Sequence, residues 1–340
     1  MKKLNCAVIG CGRIGCGFDD NSKKIRTHAG SYFHNTKTEL IALCDIDKKK
    51  LKKYGKKYSI LKLYTSSEEL FKNEKLDCVS ICTLVESHLQ HVQIAAKNGV
   101  KVIFLEKPIA RNLREAKEII KICKSNNIIL FVDHQRRFVP IYHDIKKIIE
   151  NNTLGEIQLV DMIYGGGIAN TGSHMFDLLR MFFGEVKIIN AKVSDNISNN
   201  RKDPNLDISL RFKNNINCEI HAIKYNNFAI FKMNIIFNRG LIEIDLIKNR
   251  YKQFQISKIN NSYNILKNKK IKSSVNSKTP IQLGLEEIIK IINSNKLKKF
   301  YSYEDGLKAL ELIIASIISA DRKKLIKIPL KKLDVTVFSK

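Results

Sequence analysis

The segment that most narrows what this chain can fold into is Gly10-Cys11-Gly12-Arg13-Ile14-Gly15, which follows directly on the apolar run Leu4–Ile9. Three glycines at this spacing after a strand have separate tasks. The first permits a tight turn and the second lets backbone approach a pyrophosphate. The third lets a helix pack on the sheet with its N-terminal amides facing the phosphates. The glycine spacing alone is a weak signal, and its context gives it weight.

Residues 1–132 alternate between strand-like and helix-like patterns, as a parallel, doubly wound sheet requires. Strands are predicted at Leu4–Ile9, Leu40–Cys44, Asp77–Cys82, Lys101–Leu105 and Ile128–Val132. Helices are predicted at Asp47–Tyr58, Glu86–Asn98 (ended by Gly99) and Asn112–Lys124. Asp45 ends the second strand, where a carboxylate accepts hydrogen bonds from an adenosine ribose and repels a 2′-phosphate. NAD is therefore the expected cofactor, with Gly10, Gly12, Arg13, Ile14, Gly15 and Asp45 around it; Lys48–Lys50 keep NADP open. The acid ordinarily follows the motif by about 20 residues. Here the distance is larger, and the extra length falls within Cys16–Asn35, which contains Asp19, Asp20, Arg26 and His28. That stretch reads as a solvent loop by default, or as an insertion bordering the active site.

After residue 132 the pattern changes. Helices are predicted at Pro140–Glu150 and at Thr171–Phe183, the second closed by Gly184. Strand-like runs follow at Lys187–Val193, Asp207–Phe212, Asn217–Ile223, Ile230–Phe237 and Leu241–Leu246. Turns between them favour antiparallel pairing. Lys267–Lys278 reads as a polar loop, and helices at Gln282–Asn293 and Tyr303–Ala320 close the chain. The expected fold class is α/β: a Rossmann domain over 1–132, and over 133–340 an α/β domain with an open, mostly antiparallel sheet for substrate binding and oligomerisation.

The net charge of +27 raises a nucleic-acid function. Only 12 of the 60 basic residues are Arg, however, and the lysines spread along the whole length beside many Asn and Ile. This looks like compositional bias rather than a binding stripe, so no nucleic-acid partner is expected. No apolar run reaches the roughly 18 residues of a membrane helix, and no membrane partner is expected. The start of the chain leads straight into a strand, so a cytoplasmic location is expected. Eight cysteines without a CxxC pair read as reduced, buried thiols, with no metal site.

The sequence becomes specific at Leu105-Glu106-Lys107-Pro108. Together with Cys82-Thr83 and His88 before it, and Gln135-Arg136-Arg137-Phe138, Gly165-Gly166-Gly167 and Gly172-Ser173-His174-Met175-Phe176-Asp177 after it, this segment resembles the Gfo/Idh/MocA family of oxidoreductases. The likeness runs through most of the chain in order and weakens after about residue 200. It implies that Lys107 and His174 are catalytic, and that Thr83, His88 and Glu106 join the cofactor-binding set. Lys107, Arg137, Asn170 and His174 would contact substrate. Leu84 stands where the family commonly has proline, and Asn170 where it commonly has aspartate.

These residue types suit alcohol oxidation. A hydride leaves carbon as the hydroxyl proton leaves oxygen, so a positioned acid/base must reach that oxygen. The implied activity is an NAD(P)-dependent dehydrogenase acting on a secondary alcohol of a sugar or nucleotide sugar, in surface polysaccharide precursor synthesis. The alternatives are an inositol or polyol dehydrogenase and a cofactor-sensing regulatory protein without turnover. A homodimer or homotetramer is expected from the same resemblance.

Overall fold

The computed structural model describes residues 3–259, 263–269, 277–294 and 302–338. The chain forms two compact units. One comprises Met1–Phe138 with Asn276–Leu307, the other Val139–Val275 with Lys308–Ser339. The first unit is therefore discontinuous in sequence.

In the first unit the strands are β1 (Leu4–Ile9), β2 (Thr38–Cys44), β3 (Lys62–Tyr64), β4 (Cys78–Ile81), β5 (Val102–Leu105) and β6 (Ile129–Val132). They pair in the order β3-β2-β1-β4-β5-β6, and every pairing is parallel. This is the doubly wound dinucleotide-binding order. β4 and β5 are buried at every position, as strands covered on both faces must be.

The connecting helices are α1 (His28–His34), α2 (Lys48–Tyr58), α3 (Ser67–Asn73), α4 (His88–Lys97) and α5 (Leu113–Ser125). The Asp47 carboxylate caps α2 by accepting from the amides of Lys49 and Lys50, so a run of lysines can start a helix there. Leu51, Tyr54 and Tyr58 form its buried stripe. The Asn112 side chain caps α5 by accepting from the Glu115 amide.

The stretch 16–35 is not the solvent loop expected by default, because it ends in α1. The hydrogen bonds around it show an interrupted helix. Cys16 and Gly17 amides donate to the Gly12 carbonyl at 3.0 Å, which begins a turn off the glycine motif. The Arg13 carbonyl accepts from Gly17 (3.0 Å) and Phe18 (2.7 Å), and the two acceptors after it, the carbonyls of Ile14 and Gly15, are taken by the amides of His28 (3.1 Å) and Ala29 (2.9 Å). In an unbroken helix those donors would be residues 18 and 19. Residues 18–27 are therefore a ten-residue excursion from one helix. Without it, Asp45 stands at the ordinary distance of about 20 residues from the motif.

In the second unit, α6 (Pro140–Glu150) precedes β7 (Ile157–Tyr164), α7 (Thr171–Phe183) and β8 (Val186–Val193). β9 (Leu206–Phe212), β10 (Asn217–Ala222), β11 (Lys232–Phe237), β12 (Gly240–Asp245), β13 (Arg250–Ile259) and β14 (Tyr263–Lys269) follow. α8 (Pro280–Ser294) belongs to the first unit. There Ile281, Leu285, Ile288 and Ile289 join the core built by Val102, Phe104, Phe131 and Phe138. α9 (Glu304–Arg322) leads to β15 (Ile326–Lys327).

The second sheet runs β14-β13-β12-β11-β7-β10-β9-β8-β15. Among the described residues, only β7 and β10 pair in parallel; every other neighbour in this sheet is antiparallel. Lys267–Lys269, expected in a polar loop, end β14, while 270–276 from that expected loop lie outside the described residues. Among the described residues, no helix is long and apolar enough to cross a membrane.

Candidate active site

The glycine motif forms a cradle in which each glycine is needed for a different reason. Gly10 has φ +94°, and a side chain there would also meet the Cys82 carbonyl carbon at 2.6 Å. A Cβ on Gly15 would collide with the Gly10 carbonyl oxygen, so this glycine lets the helix pack on the turn. A Cβ on Gly12 would meet nothing within 4 Å. Packing therefore does not require glycine at 12, whereas close approach of a pyrophosphate to the backbone does. Asp45 ties the cradle to the end of β2. Its Oδ2 accepts from the Cys11 amide at 2.6 Å and its Oδ1 from the Asp47 amide at 2.8 Å. Each oxygen keeps a lone pair for a ribose hydroxyl. These residues fit a dinucleotide.

On the other side of β1, the Ser87 hydroxyl donates to the Thr83 hydroxyl at 2.8 Å. His88, expected in the cofactor set, is buried behind Thr83, with its ring nitrogens 3.3 Å from the carbonyls of Thr83 and Ile109. Burial lowers its pKa, and the backbone carbonyls only partly offset this.

At the carboxyl ends of β4, β5 and β6 lies a buried polar cluster that the sequence reading did not foresee. The Glu106 amide continues the β4–β5 ladder to the Ile81 carbonyl, and the Asp133 amide continues β5–β6 to the Leu105 carbonyl. Those neighbouring strand ends bring the two carboxyls together. His28, the first residue of α1, lies against them. Its Nε2 is 3.2 Å from Glu106 Oε1 and 3.7 Å from Asp133 Oδ2, and its Nδ1 is 2.8 Å from Ser80 Oγ. Tyr32 Oη is 2.8 Å from the same serine oxygen.

Burial alone would raise the Glu106 pKa, but the His28 hydrogen bond and the charges of His28 and Lys107 outweigh it and leave it lowered. Asp133 goes the other way. Burial first, and then the Glu106 charge, raise it well above the carboxylate range, against partial compensation from Lys107 and Arg136. One carboxyl is thus ionised and its neighbour keeps its proton, as two buried acids in contact require. One ligand atom each from His28, Glu106 and Asp133 lies within 4.8 Å of the others, a spacing that would suit a cation.

Lys107 follows directly, half-buried, with its amide 3.2 Å from Glu106 Oε2 as donor. The Lys107–Pro108 peptide is cis. Arg137, expected among the substrate-binding residues, is buried, with Nη1 3.0 Å from Asp305 Oδ2 at the start of α9. Its charge is thus engaged in holding that helix start.

In the second unit, α7 is delivered by the glycine turn after β7. Gly166 and Gly167 have φ of +80° and +94°, and a Cβ on Gly167 would run into the Asp203 carboxylate. Asp203 accepts from the amides of Ala169 (2.7 Å) and Asn170 (3.0 Å), and Asn205 Oδ1 accepts from the Gly167 amide at 3.0 Å. Asn170 is the N-cap of α7, and its side-chain amide donates to the Gly166 carbonyl at 3.2 Å. His174 lies in the first turn of that helix, half-buried. Asp203 was also missed in sequence; only the positive-φ turn it braces explains it.

Two domain families match in order along the chain. Residues 4–134 match "Oxidoreductase family, NAD-binding Rossmann fold", and residues 161–243 match "GFO/IDH/MocA C-terminal domain". The chain belongs to the Gfo/Idh/MocA oxidoreductase family. Its Rossmann unit is an NAD-binding domain, and the mixed second sheet is the family's second domain. Among similar proteins are myo-inositol 2-dehydrogenase of Thermotoga maritima and D-apiose dehydrogenase of Paraburkholderia graminis. The first is 28% identical over 54% of this chain and 55% of the relative; the second is 26% identical over 57% of this chain and 53% of the relative. The matched region thus spans little more than half the length of these relatives. The fold is shared over 97% of this chain and all of the WlbA dehydrogenase from Bordetella pertussis, solved with NADH and UDP-GlcNAcA, at TM-score 0.78 and 20% identity.

Proposed function

We propose that this protein is a dehydrogenase that transfers hydride between NAD and a secondary alcohol of a sugar or nucleotide sugar. The observation that carries the reading is Lys107 at the carboxyl end of β5, where open α/β sheets bind ligands, fixed to an ionised, buried Glu106. As an ammonium, a lysine placed there can stabilise alkoxide character as the carbonyl forms; to take the hydroxyl proton it must first have given up its own. NAD, held at Gly10–Gly15 and Asp45, supplies the hydride acceptor. Glu106, with His28 and Asp133 packed against it, holds the Lys107 segment and sets the charge beside it. His174 is assigned the second acid/base role, and Asn170 a hydrogen-bonding role, since an amide does not titrate near neutrality.

Substrates named for the relatives support both a free sugar or polyol and a nucleotide-linked sugar. Asn170 in place of the more common aspartate favours the nucleotide-linked class and polysaccharide precursor synthesis. The polyol reading rests on the myo-inositol relative. A panel of free sugars, inositols and nucleotide sugars, scored by NADH fluorescence, separates them.

We also propose a homo-oligomer built on the second sheet. Paired positions Leu159, Ile236 and Leu241 form a half-exposed apolar row on one face, and Asp161, Asn234 and Glu243 form the next row. Light scattering at micromolar concentration should give a multiple of 39.0 kDa; a monomeric mass would contradict this.

A further inference from the structure

The ten-residue excursion 18–27 is built into the wall of a cavity that opens at the glycine motif. The cavity is about 610 Å³ and is lined by Gly12, Arg13, Phe18, Arg26, Lys50 and Tyr54 among others. Lys50 and Tyr54 belong to α2, so the cavity lies on the β2 side of the motif. In a doubly wound sheet the adenosine half of a dinucleotide occupies that side, beyond the pyrophosphate and beside the acid at the end of β2.

Both arms of the excursion are pinned. Asp20 accepts from Lys53 Nζ (2.6 Å), Lys57 Nζ (3.0 Å) and Tyr54 Oη (3.1 Å), all on α2. Asp19 accepts from the Arg26 amide and the Thr27 hydroxyl, both at 2.5 Å, which closes the far end back onto α1. Immediately before these anchors Phe18 remains 39% exposed, with the Arg13 guanidinium 4.8 Å over its ring. A large aromatic held at the mouth of a cavity, with cations beside it and the local carboxylates already paired, presents a stacking surface to a base and positive charge to a phosphate-bearing ribose.

We propose that this excursion is a cap on the adenosine half of the nicotinamide dinucleotide, with Phe18 covering the base and Arg26 facing the phosphate-bearing ribose. The helical register makes the cap separable from the fold. Because His28 and Ala29 donate to the carbonyls that residues 18 and 19 would use in an unbroken helix, excising 18–27 joins Gly17 to His28 in continuous helical register.

The test rests on the NAD-binding assignment and needs no alcohol substrate. NADH and ADP-ribose are titrated against wild type, Phe18→Ala, Phe18→Tyr and the excision variant, with circular dichroism as the fold check. Losing one stacked base should weaken both ligands by a common factor of about 10 in Phe18→Ala, and at least as much on excision. Phe18→Tyr should retain wild-type affinity. ADP-ribose affinity unchanged in Phe18→Ala would overturn the proposal, whether or not the excision variant folds. A wild-type protein that binds neither NADH nor ADP-ribose would overturn the cofactor assignment itself.

Discussion

His28 Nε2 lies 3.2 Å from Glu106 Oε1, although 78 positions separate them in the chain. A carboxylate only accepts, so Nε2–H is the donor to Glu106. The pair joins the helix that follows the glycine motif to the residue before Lys107. Its removal should therefore affect both ends of the Rossmann unit. His28→Ala leaves Oε1 of an ionised, buried Glu106 without its His28 donor and should cost about 1–3 kcal/mol of stability, read as a lower denaturation midpoint. His28→Asn, which keeps a donor, should recover part of the loss. An unchanged midpoint in His28→Ala would contradict the role given to the pair.

Asp133 yields a pH-dependent prediction. Its folded pKa is raised by burial and by Glu106. Below the unfolded aspartate value of about 3.9 it is protonated in both states. As pH rises above that value, only the folded chain keeps the proton, so its contribution to stability is progressively lost up to the folded pKa. Asp133→Asn stays neutral at every pH and does not titrate. It should match wild type near pH 4 and gain in melting temperature from pH 5 to 8. A melting-temperature difference that does not change with pH would show that Asp133 does not hold a proton.

Asp45 was expected to set cofactor preference, and the structure gives it a second task through the Cys11 and Asp47 amides. Asp45→Ala should therefore weaken NAD about 10-fold, for the lost hydrogen bonds, and should weaken NADP less or improve it. Isothermal titration with both dinucleotides checks this. An unchanged NAD/NADP ratio would remove Asp45 from the specificity account.

Asn170→Asp separates local structure from chemistry. The new carboxylate would face the Gly166 carbonyl that the amide now donates to, close to Asp203. Two acceptors in contact should cost about 1–3 kcal/mol. The added negative charge one turn before His174 favours imidazolium, so the pH–rate profile should move to higher pH. A destabilised variant with an unmoved profile would confine Asn170 to bracing the glycine turn before α7.

The Rossmann sheet was legible because its strands are short apolar runs between helical patterns and its turn carries glycines at fixed spacing. β3 and α3 were not, since Lys62–Tyr64 is brief and largely exposed and Ser67–Asn73 is a two-turn helix. β7 was not legible because Gln158 and Asp161 interrupt its apolar run and the strand passes directly into the glycine turn. The return of α8 to the first unit depends on tertiary packing against Phe104 and Phe138, which no local pattern encodes. Lys107 and Glu106 were legible from a short motif. His28 and Asp133 were not, because their association follows from which strand ends are neighbours, and the excursion displaced His28 from the motif it serves.

The central claim is that Lys107 handles the proton of an alcohol oxidised by NAD. The most direct measurement is steady-state turnover of wild type and Lys107→Ala on the substrate found by the sugar, inositol and nucleotide-sugar panel, with NADH binding measured alongside. Loss of a positioned acid/base should lower kcat by about 10²–10⁴ while NADH affinity and fold are retained. Near-wild-type turnover in Lys107→Ala would contradict the assignment.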